Sequence, residues 1–219
     1  MPLYGNCHPA GQKVSGLLLL VTTCTIIKNE NQKSFNDIIT EMKLYVVRHG
    51  ETDSNVKGIV SGVQDEGINK NGIKQAQAIN QKLEGVKFVA VYVSPMARAV
   101  ETAEIVVPEY KYNVDSRISE RELGDLKGYA ISELWKNPLW NSLDVCRTPE
   151  GAETFLAGYQ RVKDFMGELK KKYRKDDKIL IVTHSFVSRC IWSVATGIMD
   201  MEVHKSFVHK NDEVKVFEW

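Results

Sequence analysis

Predominantly apolar runs recur along most of the chain and predict strands. Residues 43–47 (KLYVV), 88–94 (FVAVYVS) and 178–183 (KILIVT) have few polar positions. Such runs are typical of strands in a parallel sheet, which are buried on both faces. A weaker run at residues 112–114 predicts a further short strand, and the alternating EVKVFEW at residues 213–219 predicts an edge strand.

Helical spacing of apolar residues separates these runs. It occurs in residues 69–85, 95–107 and 152–173, and again after residue 184. Strands that alternate with helices predict a largely parallel sheet with helices on both faces. We therefore expect an α/β protein, a three-layer α/β/α sandwich with a mostly parallel central sheet.

The helix ends carry two more detailed expectations. Ser94 and Pro95 are predicted as the N-cap and the first residue of the second helix, because serine caps helices and proline favours their first position. The apolar side chains of the last helix, including Ile198, are expected to face inward.

Residues 1–41 differ from the rest and carry none of these regular patterns. Their apolar stretch, SGLLLLVTTCTII, is shorter than the roughly 20 residues that a membrane span needs. Only Lys13 precedes it among the basic residues, and no clear signal-peptidase site follows. We expect a leader or tail at residues 1–41, outside a catalytic domain at residues 42–219, and no membrane partner.

Composition excludes several classes of protein. The chain has 219 residues, 43% hydrophobic and 26% charged, which is typical of a globular protein. The net charge of +1 gives no support for nucleic-acid binding. The four cysteines form no CxxC pair, which argues against a zinc site or a disulfide scaffold and favours a cytoplasmic location.

Basic and imidazole side chains follow three of the predicted strands. Arg48 and His49 end the first, Arg98 comes shortly after the second, and His184 and Ser185 end the late strand. Ligands bind beyond the carboxyl ends of the strands in such sheets. Arg189 follows a little over a helical turn after Ser185. Two histidines and two or three arginines are therefore expected to meet at one edge.

This combination suits the transfer of a phosphoryl group. Arg48 and Arg98 can each donate two hydrogen bonds to it, and His184 can donate another. The arginines also keep His49 neutral, so that its imidazole can attack phosphorus. Its other ring nitrogen needs an acceptor, for which we expect the carbonyl of Gly50 or another backbone group.

The leaving alcohol needs a proton, and the loop at residues 117–129 (RISERELGDLKGY) offers Glu120 and Glu122. A metal site would explain paired histidines differently, but no third His or Cys accompanies them, and the arginines would repel a cation. No cofactor and no metal are expected. Arg189 is predicted to form a structural ion pair, and His209 is predicted to be a surface residue.

The order of these motifs resembles the histidine phosphatase superfamily, also called phosphoglycerate-mutase-like, and its small phosphatase branch. The matching stretches are RHGET with Asn55, SPMARAVETAEI, ISERELGDLKG, TPEGAETF and VTHSFVSR. The resemblance implies that His49 is phosphorylated, with Arg48, Arg98 and His184 around the phosphate and Asn55 on its phosphate side.

The resemblance also bears on the remaining site residues. The family's proton donor lies four residues before a glycine, which fits Glu120 with Gly124 and does not fit Glu122. Ser185, followed by Phe186, stands where the family usually has glycine; these residues either narrow the pocket or contact the substrate. The aspartate-proline-leucine region that is typical of the family reads VQDEGINKNG here.

We expect a phosphomonoester hydrolase that acts on small phosphorylated metabolites through a phosphohistidine and releases inorganic phosphate. One alternative is a phosphoglycerate mutase, which uses the same intermediate, although the chain from Met42 onward leaves little room for the insertions of mutases. A second alternative is a non-catalytic phosphoester-binding module, which would need the arginines but neither histidine nor Glu120.

Overall fold

The computed structural model describes residues 41–136, 150–200 and 206–219, which belong to one compact unit, residues 39–219. Within them five strands form one sheet. The strands are β1 (Lys43–Arg48), β2 (Ala90–Val93), β3 (Asn113–Val114), β4 (Lys178–Thr183) and β5 (Val214–Glu218).

The sheet has the order β3-β2-β4-β1-β5. β4 pairs in parallel with both β1 and β2, and β2 pairs in parallel with β3. β5 lies at one edge, as the alternating pattern predicted, and pairs antiparallel with β1. The predicted mostly parallel α/β sheet is therefore confirmed.

Six α-helices are described: α1 (Asp53–Lys57), α2 (Lys70–Lys82), α3 (Ala97–Val106), α4 (Ile131–Lys136), α5 (Phe155–Lys172) and α6 (Ser185–Thr196). Short 3-10 turns lie at Ser116–Ile118 and Gly124–Leu126.

Successive residues of β4 point to opposite faces and so build two cores. Ile179 and Ile181 pack with apolar residues of α5 and α6. Leu180 and Val182 pack with apolar residues of α2 and α3. Helices therefore cover both faces of the sheet and leave the ends of its central strands for the site.

Two expectations about helix ends are wrong. α3 begins at Ala97, with Met96 as its N-cap, and the hydroxyl of Ser94 is bonded to His184 instead. Ile198 lies beyond the end of α6 and its side chain is 41% exposed. A tertiary contact with His184 takes the Ser94 hydroxyl away from the cap, whereas Gly197, at φ +71°, ends α6 before Ile198.

Other expectations lie outside the described residues, among them the leader up to residue 40 and three of the four cysteines. Cys190, within the described part, is a buried free thiol. No helix in the described ranges has the length and apolar character that crossing a membrane requires.

Candidate active site

The carboxyl ends of three adjacent strands meet at one edge of the sheet. The backbone N–H of His49, after β1, donates to the Thr183 carbonyl of β4 at 2.9 Å. The N–H of Ser94, after β2, donates to the Val182 carbonyl at 3.0 Å. A pocket of about 260 Å³ opens at this edge, lined by Arg48, His49, Asn55, Ile59, Val60, Ser61, Gly62, Arg98, Glu120, Arg121, Leu123, Ile131, Leu134, Phe155, Ser185, Phe186 and Arg189.

His49 is held as a neutral imidazole with one defined tautomer. Its Nδ1 lies 2.8 Å from the carbonyl oxygen of Gly50, the acceptor that the sequence suggested. A carbonyl only accepts, so Nδ1 carries the proton and Nε2 keeps its lone pair. Burial, together with the positive charges of Arg48 and Arg98, holds the pKa of His49 well below its ordinary value.

Gly50 allows a close approach between the end of β1 and α2. A Cβ at position 50 would lie 2.7 Å from the carbonyl oxygen of Gly72. The N–H of Gly50 donates to Thr102 Oγ1 at 2.9 Å, which fixes the turn against α3. The glycine after the histidine is thus required by packing.

His184 packs against His49, with ring centroids 5.2 Å apart. Its Nε2 lies 2.7 Å from Ser94 Oγ, which itself accepts the N–H of Met96 at 3.4 Å. The serine hydroxyl can donate to Nε2 while it accepts from Met96, and in that tautomer the proton of His184 is on Nδ1. Within the described residues Nδ1 has no hydrogen-bond partner, so in that tautomer it is a buried donor next to the nucleophile candidate. Burial, followed by the charges of neighbouring groups, holds the pKa of His184 well below its ordinary value.

Two buried arginines face the pocket and are oriented by backbone carbonyls. Arg48 donates from one terminal nitrogen to the His209 carbonyl at 3.1 Å, while its Nε has no partner among the described residues. Arg98 is 2% exposed and donates to the carbonyls of Gly62 and Gln64 at 2.7 and 2.9 Å. Burial lowers the pKa of each, and the charge of Glu120 opposes that shift. Arginine stays protonated in proteins, so two fixed positive charges flank the pocket.

Asn55 and Ser185 also line the pocket. The Asn55 side chain belongs to a capping box at the start of α1, where its Oδ1 accepts the N–H of Thr52 at 3.3 Å. Its amide nitrogen is not used by this cap and can donate a hydrogen bond. Ser185 is the first residue of α6, so its hydroxyl and the helix N-terminus lie at the same wall.

The two candidate proton donors have different surroundings. Glu120 lines the pocket, and its Oε1 accepts the N–H of Arg121 at 2.8 Å. Glu122 is absent from the pocket lining; its Oε1 accepts the N–H groups of Leu123 and Gly124 and pairs with Lys127 at 2.9 Å. Although burial raises the pKa of Glu122, the bonds from Lys127 and the backbone outweigh it and lower the pKa.

The loop that carries Glu120 is tied to the sheet and to α5. Thr183 Oγ1 at the end of β4 donates to the Ile118 carbonyl at 2.7 Å. Arg161 on α5 donates to the Arg117 carbonyl at 2.6 Å and forms a two-pronged ion pair with Glu153. Gly124 ends the loop at φ +51°, the left-handed region that favours glycine.

Two more arginines line the pocket wall, of which sequence reasoning missed Arg121. Arg189, placed near this edge but predicted to form a structural ion pair, lines the pocket and donates from Nε to the Phe207 carbonyl at 3.2 Å. It lies four residues after Ser185, on the same side of α6. Arg121 also lines the pocket, with its guanidinium 5.6 Å from the centre of the Phe186 ring.

The Phe186 ring occupies a notch on α5. A Cβ at Gly158 would lie 2.5 Å from Phe186 Cε1, so the glycine is what admits the ring. Phe155 meets the ring edge to face, with centroids 5.9 Å apart and planes at 88°. The Phe186 side chain is therefore accommodated partly by the notch at Gly158 on α5 and partly at the pocket wall.

His209, predicted as a surface residue, is 1% exposed. Its Nδ1 lies 2.6 Å from Ser188 Oγ on α6 and its Nε2 lies 3.1 Å from the Glu213 carbonyl. The surface prediction is wrong because its burial depends on a helix 21 residues away in sequence. Separately, the described ranges contain no group of three or more His, Cys, Asp or Glu side chains placed to hold a metal ion.

Comparisons with known proteins show which family the chain belongs to. The family model for the histidine phosphatase superfamily (branch 1) matches residues 44–219. The adenosylcobalamin/alpha-ribazole phosphatase of Escherichia coli is 31% identical over 153 residues, which cover 67% of this chain and 75% of that protein. The metal-independent phosphoserine phosphatase of Arabidopsis thaliana is 34% identical over 166 residues, which cover 70% of this chain and 68% of that protein.

Solved structures show the same fold. The alpha-ribazole phosphatase of Shigella flexneri superposes with a TM-score of 0.69 at 29% identity, covering 80% of this chain and 89% of that one. The range matched by the family model, residues 44–219, includes the strand ends that form the site, and the two relatives described above are phosphatases. The chain thus belongs to the histidine phosphatase superfamily and is an enzyme that hydrolyses phosphomonoesters.

Proposed function

We propose that the chain releases inorganic phosphate from small phosphomonoesters by two successive displacements at His49. The observation that carries this mechanism is the 2.8 Å contact between His49 Nδ1 and the Gly50 carbonyl. It leaves Nε2 with a free lone pair, in a pocket that also contains Arg48, Arg98 and Glu120.

In the first displacement, Nε2 of His49 forms a bond to phosphorus as the bond from phosphorus to the ester oxygen breaks. Glu120 gives its proton to that oxygen, which leaves as an alcohol. The product on the enzyme is a phosphohistidine, and Glu120 is left as a carboxylate. Covalent capture divides one difficult displacement into two easier ones.

In the second displacement, the Glu120 carboxylate takes a proton from water as the water oxygen attacks phosphorus. The bond between phosphorus and Nε2 breaks, and its electron pair returns to the nitrogen. Inorganic phosphate leaves, and both His49 and Glu120 regain their starting protonation states. No external cofactor is needed to balance either step.

The charge on the transferring group is matched by fixed donors. Arg48 and Arg98 supply positive charge, while His184 Nδ1 and the Asn55 amide supply neutral hydrogen bonds. The hydroxyl of Ser185 and the N-terminus of α6 add further donors. Such preorganised donors stabilise a loose phosphoryl transition state without rearranging during the reaction.

The pocket supports a small substrate. Its outer wall is largely apolar, formed by Ile59, Val60, Leu123, Ile131, Leu134, Phe155 and Phe186. A net charge of +1 favours a small molecule over a nucleic acid, and the scattered cysteines favour a cytosolic site of action. The alpha-ribazole and phosphoserine phosphatases among the relatives support a phosphorylated metabolite as the substrate class.

A trapping experiment tests this mechanism. Brief incubation with a ³²P-labelled phosphomonoester, followed by quenching in alkali, should leave label on His49 that is lost in acid, as expected for a phosphoramidate. His49→Ala should remove both the label and turnover while the circular dichroism spectrum stays unchanged. Near-normal turnover in that variant would exclude His49 as the nucleophile.

Two additional measurements define the reaction class. Turnover should persist in excess chelator, because the arginines supply the charge that a metal would otherwise provide. Incubation with phosphoglycerates should release phosphate without exchanging positional isomers. Efficient exchange would instead identify a mutase.

A further inference from the structure

Residues 207–211, here called the anchor segment, hold three site residues from behind the pocket. The Phe207 carbonyl accepts Arg189 Nε at 3.2 Å, and the His209 carbonyl accepts a terminal nitrogen of Arg48 at 3.1 Å. Asn211 Nδ2 donates to the carbonyl oxygen of His49 at 2.6 Å. One short stretch before β5 therefore contacts two arginines of the pocket and the nucleophile itself.

The anchor segment is fixed from within by His209. The Glu213 carbonyl only accepts, so His209 Nε2 donates to it, and Nδ1 accepts the hydroxyl of Ser188. Ser188 lies on α6, and its N–H donates to the His184 carbonyl at 2.9 Å. The same helix start therefore supports both the second histidine and the anchor segment.

The bond from Asn211 acts on a peptide group that otherwise has unusual freedom. Gly50 lacks a side chain because α2 passes too close, so its backbone has more accessible conformations than any other residue would have. The peptide between His49 and Gly50 is held at both ends: its oxygen by Asn211 at 2.6 Å and its N–H by Thr102 at 2.9 Å.

The orientation of this peptide affects the imidazole. The Gly50 carbonyl, which accepts from His49 Nδ1, belongs to the residue that follows the peptide directly. A tilt of the peptide would move both the histidine backbone and the acceptor that orients its ring. Displacement at phosphorus needs the nucleophile in line with the leaving oxygen, so a small tilt would lower the rate.

We propose that Asn211 is a positioning residue for His49, and that the anchor segment fixes the angle from which His49 Nε2 attacks phosphorus. The proposal rests on His49 being the nucleophile. Asn211 touches neither the substrate nor phosphorus. Its effect is therefore expected on the rate of phosphoryl transfer rather than on substrate binding.

Asn211→Ala tests this role, with Asn80→Ala as a matched control. Asn80 is also half-buried and also donates from its amide to a backbone carbonyl, that of Val106 at 2.8 Å, outside the pocket. Steady-state kinetics with p-nitrophenyl phosphate, rapid-quench measurement of phosphoenzyme formation and thermal unfolding are compared for both.

Asn211→Ala is expected to lower kcat and the rate of phosphoenzyme formation on the order of 10- to 100-fold, with KM within about twofold of wild type. Asn80→Ala should lose similar thermal stability but keep kcat. The positioning role is overturned if kcat of Asn211→Ala stays within about twofold of wild type. It is also overturned if Asn80→Ala lowers kcat as much as Asn211→Ala does. His49→Ala, measured in parallel, shows separately whether the nucleophile assignment holds.

Asn211→Asp provides a second variant if the alanine variant does not fold. It keeps the shape of the side chain, but its carboxylate has no proton to donate to the His49 carbonyl. Protonation of the new carboxyl restores a donor, so the ratio of variant to wild-type kcat should rise as the pH falls. A ratio that stays near one across the pH range overturns the proposal.

Discussion

Gly158 and Gly167 both lie in α5, and replacing each with alanine should change stability differently. At position 167 a Cβ meets nothing within 4 Å. At position 158 it would lie 2.5 and 2.6 Å from two carbons of the Phe186 ring. The ring has little room to retreat, because Phe155 meets it edge to face and the guanidinium of Arg121 lies against it.

The magnitudes follow from two competing effects. Alanine in place of glycine in a helix interior stabilises by about 1 kcal/mol, and this gain applies at both positions. Overpacking of a filled site costs about 1–3 kcal/mol and applies only at position 158. Gly167→Ala should therefore raise Tm by roughly 2–4 °C. The free energy of unfolding of Gly158→Ala should be about 1–3 kcal/mol lower than that of Gly167→Ala. This difference corresponds to a Tm that is roughly 2–12 °C lower.

Thermal unfolding of both variants provides the measurement, and kinetics show where the ring goes. If the new methyl group pushes Phe186 toward the pocket, KM for an aryl phosphate should rise in Gly158→Ala and stay unchanged in Gly167→Ala. Adding Phe186→Ala should relieve the overlap. The loss of unfolding free energy caused by Phe186→Ala should therefore be smaller in the Gly158→Ala background than in wild type. Equal stabilisation by the two alanines would show that the notch does not confine the ring.

Three additional predictions concern the acid, the buried histidine and the domain boundary. Glu120→Gln should slow alkyl phosphates far more than aryl phosphates, whose leaving groups barely need a proton, whereas the same selectivity in Glu122→Gln would reverse the assignment. Burial lowers the pKa of His209 from 6.5 to about 4. Between these values the unfolded chain binds a proton that the folded chain does not. The contribution to stability is therefore present above about pH 6.5 and lost as the pH falls toward 4. Urea unfolding of His209→Gln should accordingly show a shallower loss of stability over that range than wild type. A protein that starts at Met42 should fold and keep its turnover, and aggregation or loss of activity would place residues before Met42 in the fold.

The sheet was predictable because burial on both faces leaves a direct record in the sequence. The apolar runs at residues 43–47 and 178–183 correspond to β1 and β4 within one residue. The short helix α1 was not predicted, since its five residues include none that is buried and so carry no apolar periodicity. The start of α3 was misplaced because the hydroxyl of Ser94 is engaged by His184 across the sheet.

Without the family resemblance, which indicated Asn55 and distinguished Glu120 from Glu122, the site was predictable mainly where its residues follow strands. His49 and His184 end adjacent parallel strands, so their meeting follows from the order of the fold. The anchor segment could not be found in this way, because Asn211 and His209 lie in a loop with no periodic pattern. Their relevance depends on contacts with residues up to 162 positions away in sequence.

The sheet order has a consequence for folding. β4 forms late in the chain, yet it lies between β1 and β2, which do not pair with each other. Pairings between residues so distant in sequence close large loops and form slowly. Until residues 178–183 take their place, β1 and β2 expose unpaired edges, and the side chains that line the pocket have no common support. A refolding chain should therefore regain catalysis only after this insertion, while intermediates that lack it are prone to aggregate.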